Sequence, residues 1–458
     1  MREALRLIVI GGGTAGMAAA ARARRLSPQS AITVVERNPQ ASLGVCGLPY
    51  LVAGRVPSVG SLIVVSEKEL REERRLDLRL CHEAVGIELQ NRLVLLRDNR
   101  RGRQLELAYD RLVLAPGGRP VRPAVPGVGA DNVFSFHDLN DALRLLSWLE
   151  GRACRTALVI GGGYLGVEMA ECLLHRGLRV ALWEKRAALL GLEASLNESL
   201  VDHLSRQGVS IRLGSALAGL EGGRTGPVQR AVSQDGEHFE ADLFLLATGV
   251  EPVSPLLEGC PLRRGSSGAL AVDRRAETSR AGVFAAGDCI EVEHRVSGRR
   301  TYLPLALPAA RMGRVAGENS VGGSARFEGA LGTVAVKVFE LELARTGLDR
   351  HAAEAAGLQA QTLCVKTRTR AGYYPGSGRL TLAVTFERES RRLLGAQAVG
   401  HEGAAARVNL VAAAIEGGLT VDGLERLDLA YTPPLAPLWD ATVLTGRLSA
   451  GSDSGWRN

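Results

Sequence analysis

The sequence predicts an α/β fold: two doubly wound, Rossmann-like domains followed by a smaller α+β domain. The run Leu7-Ile-Val-Ile-Gly11-Gly-Gly13-Thr-Ala-Gly16 returns as Leu158-Val-Ile-Gly161-Gly-Gly163-Tyr-Leu-Gly166. Each copy reads as a buried strand, a glycine turn and a helix, and each has an acid about 20 residues beyond the turn, Glu36 and Glu184. After Gly322-Gly323 the pattern changes to alternating strands with one late helix, the mark of an α+β unit.

The apolar run Leu5 to Ile10 predicts a buried first strand. As a secretory leader it is too short, and it enters glycines rather than a small-residue cleavage site. An alanine-rich helix follows from Met17 to Leu26, then a strand from Ala31 to Val35 that ends at Glu36. After the second glycine turn, a helix from Val167 to Arg176 leads to a strand from Val180 to Trp183, ending at Glu184. Tyr109 to Gly118 and Phe244 to Gly249 each read as a buried strand running into a glycine turn, where the chain crosses between the two folds; the proline-rich stretch Pro120 to Pro126 follows the first. Val283-Phe-Ala-Ala-Gly287-Asp288 is another short strand, and it delivers a carboxylate to the carboxyl end of a sheet, where such folds bind ligands. The last unit shows strands Gly332 to Phe339, Leu380 to Phe386 and Leu393 to Val399 and a helix from Ala404 to Glu416. The partition is 1–119 with 246–325, then 120–245, then 326–448, with 449–458 a frayed, flexible tail.

At 458 residues the chain exceeds what one core fills, and 46% apolar against 23% charged residues supplies about three. No run of about 18 uncharged apolar residues occurs, so no membrane span is expected. The 56 basic residues exceed the 49 acidic ones, but the arginines are spread along the chain and aromatics are only 4%, so no nucleic-acid partner is expected. Seven scattered cysteines, with no CxxC and no matching histidine spacing, predict neither a disulfide framework nor a metal site. They suit a reducing, cytoplasmic setting.

Two glycine turns with their acids are strong evidence for two dinucleotide sites. The glycines let the backbone approach a pyrophosphate at a helix N-terminus, and the acid accepts hydrogen bonds from ribose hydroxyls. Close behind the first turn lies Ser42-Leu-Gly-Val-Cys46-Gly-Leu-Pro-Tyr50. No second cysteine stands four or five residues beyond Cys46, which points to a lone redox thiol held against a flavin. Gly47 and Pro49 suit a first helical turn, and a sulfur there is expected to ionise near neutral pH.

From Leu7 to about Gly446 the chain resembles the two-dinucleotide-fold flavoprotein disulfide reductases, in particular their single-cysteine branch. The resemblance rests on Cys46-Gly-Leu-Pro-Tyr50, Gly287-Asp288, Lys337-Val-Phe339 with Ala344-Arg-Thr-Gly347, Gly372-Tyr-Tyr-Pro-Gly376, and Tyr431-Thr-Pro-Pro-Leu-Ala-Pro-Leu-Trp-Asp440. The last two are most similar to the coenzyme A-disulfide reductases. The resemblance implies FAD and NADH, with NADPH left open because Lys185 and Arg186 follow Glu184. Gly11, Gly13, Gly16 and Glu36 would hold the ADP part of FAD and Asp288 its ribityl chain; Thr14, Ala15, Arg37, Ala115, Gly117, Gly249 and Gly287 line the cofactor sites. Gly161, Gly163, Leu165, Gly166 and Glu184 would hold the nicotinamide nucleotide, with Tyr164 over the flavin and Glu168 near the nicotinamide amide.

The implied reaction is hydride transfer to flavin and then two electrons to Cys46, which has formed a mixed disulfide with a substrate thiol such as coenzyme A. One cysteine suffices because the second sulfur belongs to the substrate. The resemblance also implies a homodimer built by a C-terminal dimerisation domain, in which Tyr373 and Tyr431 of one chain serve the cysteine of the other; Tyr374 is the alternative to Tyr373. Arg22, Arg25 and Ser42 match substrate contacts, and Arg71, Arg74 and Arg75 form a further basic run. Two positions depart from the pattern. Val45 replaces the asparagine usual in the coenzyme A enzymes, and Thr14 replaces the histidine of the peroxidase and oxidase branch. Oxygen reduction through a Cys46 sulfenic acid and electron transfer to a protein partner are the alternative functions.

Overall fold

A computed structural model describes residues 4–222, 226–252 and 255–451. The first unit opens with β1 (Arg6–Ile10), α1 (Thr14–Leu26), β2 (Ala31–Glu36), the short α2 (Leu48–Val52), β3 (Asp77–Leu80) and β4 (Arg111–Leu114). The second contains β5 (Val133–Ser135), β6 (Thr156–Ile160), α3 (Tyr164–His175), β7 (Arg179–Glu184), β8 (Ser210–Leu213) and β9 (Leu243–Leu246). The chain then returns to the first unit through β10 (Val283–Ala285) and α4 (Ala306–Ser320).

The two parallel sheets repeat one topology, β10-β4-β1-β2-β3 in the first and β5-β9-β6-β7-β8 in the second. In each, the strand before the glycine turn lies at the centre, flanked by the strand ending in the acid and by the crossing strand. Leu7 to Ile10 and Ala157 to Ile160 are buried on both faces, as central parallel strands must be. Both helices begin earlier than the sequence suggests, at Thr14 and Tyr164, because the turn itself supplies their first residues.

Helices α1 and α4 pack unusually close. A Cβ on Gly313 would lie 2.2 Å from the carbonyl oxygen of Ala15, and one on Gly317 would lie 2.1 Å from that of Ala19. Only glycine admits that contact. It fastens the returning segment, and with it Asp288, to the helix that follows the first glycine turn.

The C-terminal unit comprises β11 (Val334–Val338), β12 (Leu341–Gly347), β13 (Ala360–Arg368), β14 (Arg379–Glu387), β15 (Leu393–Gly400), α5 (Ala404–Glu416) and α6 (Ala441–Ser449). Its antiparallel sheet runs β11-β12-β15-β14-β13. The expected frayed tail is corrected at its start: Ser449 ends α6, and its hydroxyl and carbonyl accept hydrogen bonds from Arg391. Residues 452–458 lie outside the described residues.

Candidate active site

The glycines of both turns divide by role. A Cβ on Gly11 (φ +101°) would lie 2.0 Å from the carbonyl oxygen of Ala115, and one on Gly16 would lie 1.8 Å from that of Gly11. In the second turn, Gly161 (φ +109°) faces the carbonyl oxygen of Ala247 at 2.3 Å and Gly166 that of Gly161 at 1.8 Å. Gly13 and Gly163 have nothing within 4 Å. The outer glycines are therefore fixed by packing, and the middle ones leave a backbone cradle open for a pyrophosphate at a helix start. These residues fit two dinucleotides.

Each acid is tied back to its turn. Glu36 accepts from the Gly12 amide at 2.7 Å and, on its other oxygen, from the amide and side chain of Asn38 at 2.8 and 2.9 Å. Glu184 accepts from the Gly162 amide at 2.7 Å and from the amide and Nε of Arg186 at 2.9 and 3.1 Å. Burial alone would raise the Glu184 pKa, but the Arg186 and Gly162 hydrogen bonds outweigh it and hold the carboxyl below its ordinary value.

Among the other residues of the first site, Thr14 opens α1, and Ala15 packs beneath Gly287, whose added Cβ would sit 2.9 Å from that of Ala15. Asp288 follows, its carboxyl pushed up by burial and only partly relieved by His137. Gly117 (φ +80°) and Gly249 (φ +111°) stand at matching crossings with open space around them. Arg37 does not face this cradle alone: its guanidinium pairs with Asp138 at 3.1 Å. In the second site Leu165 is half-buried, and the Tyr164 hydroxyl is buried without a hydrogen-bond partner.

Cys46 lies in a single tight turn, Val45–Gly47, that runs directly into α2 with Pro49 in its first turn. The sulfur is free and exposed. The expected easy ionisation is not borne out. Burial of the sulfur's surroundings comes first in raising the thiol, and the charges of Glu168 and Asp288 push it the same way. A helix start only one turn long does not offset two carboxylates. Ser42, in the left-handed region (φ 57°), donates its amide to the Gly12 carbonyl at 2.8 Å and so ties the cysteine segment to the first glycine turn.

Sequence reasoning missed the Tyr50 and Glu168 pair. The Tyr50 hydroxyl donates to Glu168 at 3.3 Å. Burial raises Glu168 to about 7, against the Tyr50 hydrogen bond and with help from Glu171. Tyr50 closes the cysteine motif, so its position was the available signal.

The two predicted tyrosines meet. Tyr373 and Tyr431 have hydroxyls 3.5 Å apart, although 58 residues separate them. The Ala371 amide donates to the Pro433 carbonyl at 3.2 Å, joining their segments. Buried Arg407, on α5, pairs with Asp440 at 2.7 Å, and Asp440 caps α6, which anchors the end of the Tyr431 stretch. Tyr374 instead lies under the Arg370 guanidinium. Tyr373 is 77% exposed and Tyr431 44%, beside exposed Leu435, Leu438 and Trp439. No hydrogen bond within the chain joins either hydroxyl to Cys46.

The arginines divide. Arg22 pairs with Glu318 at 2.5 Å, so it is not the free phosphate ligand the sequence suggested. It nonetheless lines a cavity of about 300 Å³ together with Arg295, Arg311, Arg314 and Arg326. Of these, Arg311, Arg314 and Arg326 have no ion-pair partner among the described residues. Arg25 is exposed at the end of α1 and outside that cavity. Arg71 and Arg74 are spent on Glu67 and Glu69, the solvated basic face such runs usually are.

Among the described residues there is no cluster of metal-ligating side chains and no helix long and apolar enough to cross a membrane. Residues 5–313 match the pyridine nucleotide-disulphide oxidoreductase family, and residues 333–441 match its dimerisation domain. The chain is 35% identical over 445 residues to an NAD(P)H sulfur oxidoreductase (CoA-dependent) of Pyrococcus abyssi, covering 96% of this chain and 97% of that protein. Two solved structures superpose closely. The reduced Bacillus anthracis CoADR-RHD has a TM-score of 0.94 at 31% identity, over 98% of this chain and 80% of that one. An NAD-dependent persulfide reductase from A. fulgidus has 0.93 at 34%, over 98% and 83%. The chain belongs to the pyridine nucleotide-disulphide oxidoreductases, enzymes that work with FAD and NAD(P)H.

Proposed function

We propose that this enzyme uses NAD(P)H to reduce coenzyme A disulfide, or a related low-molecular-weight disulfide or persulfide, through Cys46. The observation that carries this reading is a lone, exposed thiol on the segment tied to the first glycine turn. In this reading residues 1–119 and 246–325 hold FAD, 120–245 hold the nicotinamide nucleotide, and 326–448 build the dimer. Gly13 and Thr14 face the flavin's pyrophosphate and Asp288 its ribityl chain. Bound flavin supplies the electron pair, taken from the nicotinamide.

Cys46 attacks one sulfur of the disulfide and expels the other as a thiolate, which takes up a proton. Two electrons and a second proton then release the remaining thiol and restore Cys46. The balance is one disulfide, one reduced nicotinamide and one proton giving two thiols. Because Cys46 is hard to ionise, its proton needs an acceptor, and Glu168, at about 7 and held by Tyr50, is the group placed to take it. Tyr373 and Tyr431 lie on an exposed apolar surface of the same chain, which supports a homodimer in which they donate to the departing thiolate across the interface. The arginine-lined cavity carries unpaired guanidiniums suited to the phosphates of coenzyme A, two turns along α1 from Thr14 or about 12 Å. A reducing cytoplasm suits seven free thiols.

Cys46→Ser is expected to lower disulfide reduction at least about a thousandfold, since the nucleophile itself is lost. Intact mass measurement of the purified protein should show a coenzyme A adduct on Cys46 that mild reductant removes. Wild-type turnover that survives the substitution would defeat the reading.

A further inference from the structure

The nicotinamide nucleotide's adenosine end lies beside Glu184 in the reading above, and there the structure adds a residue from another domain. The loop after β7 runs through Leu190, held in the left-handed region at φ 58°, to Gly191 at φ +67°. A Cβ placed on Gly191 would have only two neighbours within 4 Å, the Nη1 of Arg186 at 3.7 Å and the Nη1 of Arg345 at 3.8 Å. Arg345 comes from β12 of the C-terminal sheet and donates to the Leu190 carbonyl at 3.3 Å.

This arrangement is fixed rather than casual. Gln397, the cross-strand neighbour of Arg345 on β15, is buried; its Nε2 donates to the Gly191 carbonyl at 3.2 Å and its Oε1 accepts from the Glu193 amide at 2.8 Å. No carboxylate pairs with Arg345 or Lys185 among the described residues. Arg186 uses its Nε on Glu184, which leaves its outer nitrogens free. The nearest further acid along the chain, Glu193, makes no ion pair. Two guanidinium forks thus face one small open space beside a ribose-binding acid whose charge Arg186 already offsets. A phosphate is the group such forks hold best.

We propose that Arg186 and Arg345 form a clamp beside Gly191 for the 2′-phosphate of the nicotinamide cofactor, so that the second nucleotide fold takes NADPH. The proposal rests on the second glycine turn being the nicotinamide site and goes beyond it by naming the cofactor's form and giving Arg345 a specificity role. It also explains why Glu184 does not repel the phosphate: its carboxylate is turned inward onto the Gly162 amide and Arg186.

The test is calorimetric binding of adenosine 2′,5′-bisphosphate and of AMP to the flavin-loaded, full-length protein, because the two probes differ by the 2′-phosphate. Wild type should prefer the bisphosphate at least about tenfold, the scale of one charge-assisted hydrogen bond. Arg345→Met and Arg186→Met should each lower that preference about tenfold, and Arg345→Lys should restore part of it. The ratio of kcat/KM for NADPH over NADH should move in the same direction. Equal affinity for the two probes in wild type would overturn the clamp, as would a preference that neither methionine variant lowers. Arg186 is exposed, so its variant keeps the test open if Arg345→Met fails to fold. Binding is read without turnover, so the result stands apart from whichever disulfide Cys46 reduces.

Discussion

The two glycine turns share one backbone and differ in what stands two residues beyond the acid. Glu36 is followed by Asn38, and Glu184 by Arg186. In both places that residue donates its amide and a side-chain nitrogen to the same carboxylate oxygen. Asn38 ends there, neutral. Arg186 carries its charge past the carboxylate into the space it shares with Arg345. The comparison teaches that the acid's geometry is a property of the turn, whereas the choice of ribose substituent is left to a single side chain and to whatever a third domain brings near it. A second difference lies on the helices. Two residues after the third glycine, α1 has Ala18 and α3 has Glu168, so only the second helix puts a titrating group beside the cysteine.

The largest effect should come from the packing glycines. Gly16→Val places a side chain against the Gly11 carbonyl and is expected to cost at least about 3 kcal/mol and to yield protein without flavin, read from its absorbance. Gly166→Val meets the same obstruction in the other fold and should leave a yellow protein whose flavin neither NADH nor NADPH bleaches. If both variants lose flavin equally, the division of labour between the folds is wrong.

A smaller, pH-dependent effect is expected at Glu168. Its carboxyl is raised from 4.5 to about 7, so the folded protein holds that proton more tightly than the unfolded chain. The stability this contributes is complete below about 4.5 and is lost as pH rises to about 7, where the carboxylate ionises in both states. Denaturant unfolding at pH 4.5 and pH 7.5 should show a decline in wild type that Glu168→Gln reduces. The same variant should flatten the rise of kcat/KM through pH 7. An unchanged pH profile would remove Glu168 from proton transfer.

The smallest effect should be Asn38→Arg. This gives the first turn the second turn's residue, and since FAD has no 2′-phosphate, flavin affinity should stay within about twofold, as for other surface changes. A larger change, measured by flavin release, would mean that the two turns are not equivalent in geometry.

What was legible in the sequence was whatever is local. The glycine turns, their acids and the strands between them follow from spacing alone, as does helix Ala404–Glu416, which the structure reproduces. In the C-terminal unit, β12 and β13 were missed for identifiable reasons. The β11–β12 turn uses Phe339 at φ 48° instead of the glycine or asparagine that marks a hairpin, and β13 buries few side chains, so its alternation is weak. The ionisation of Cys46 was misjudged because Glu168 and Asp288 are far away in sequence. Arg345 was invisible as a nucleotide contact for the same reason, since only the fold brings β12 to Gly191. Tyr373 and Tyr431 were found through resemblance, and their meeting at 3.5 Å depends on a loop contact that no spacing shows.

The close seat of α4 on α1 also sets an order of assembly. Arg22 and Glu318, paired across that seat, are 296 residues apart. A ribosome adding roughly 5–20 residues each second needs about 15 to 60 s to cover that distance. The second fold, whose strands end at Leu246, emerges complete during this wait, while the alanine face of α1 stays uncovered. The domain begun first is finished after the one inserted into it, so a nascent chain must keep its opening helix from other partners until glycines 313 and 317 arrive.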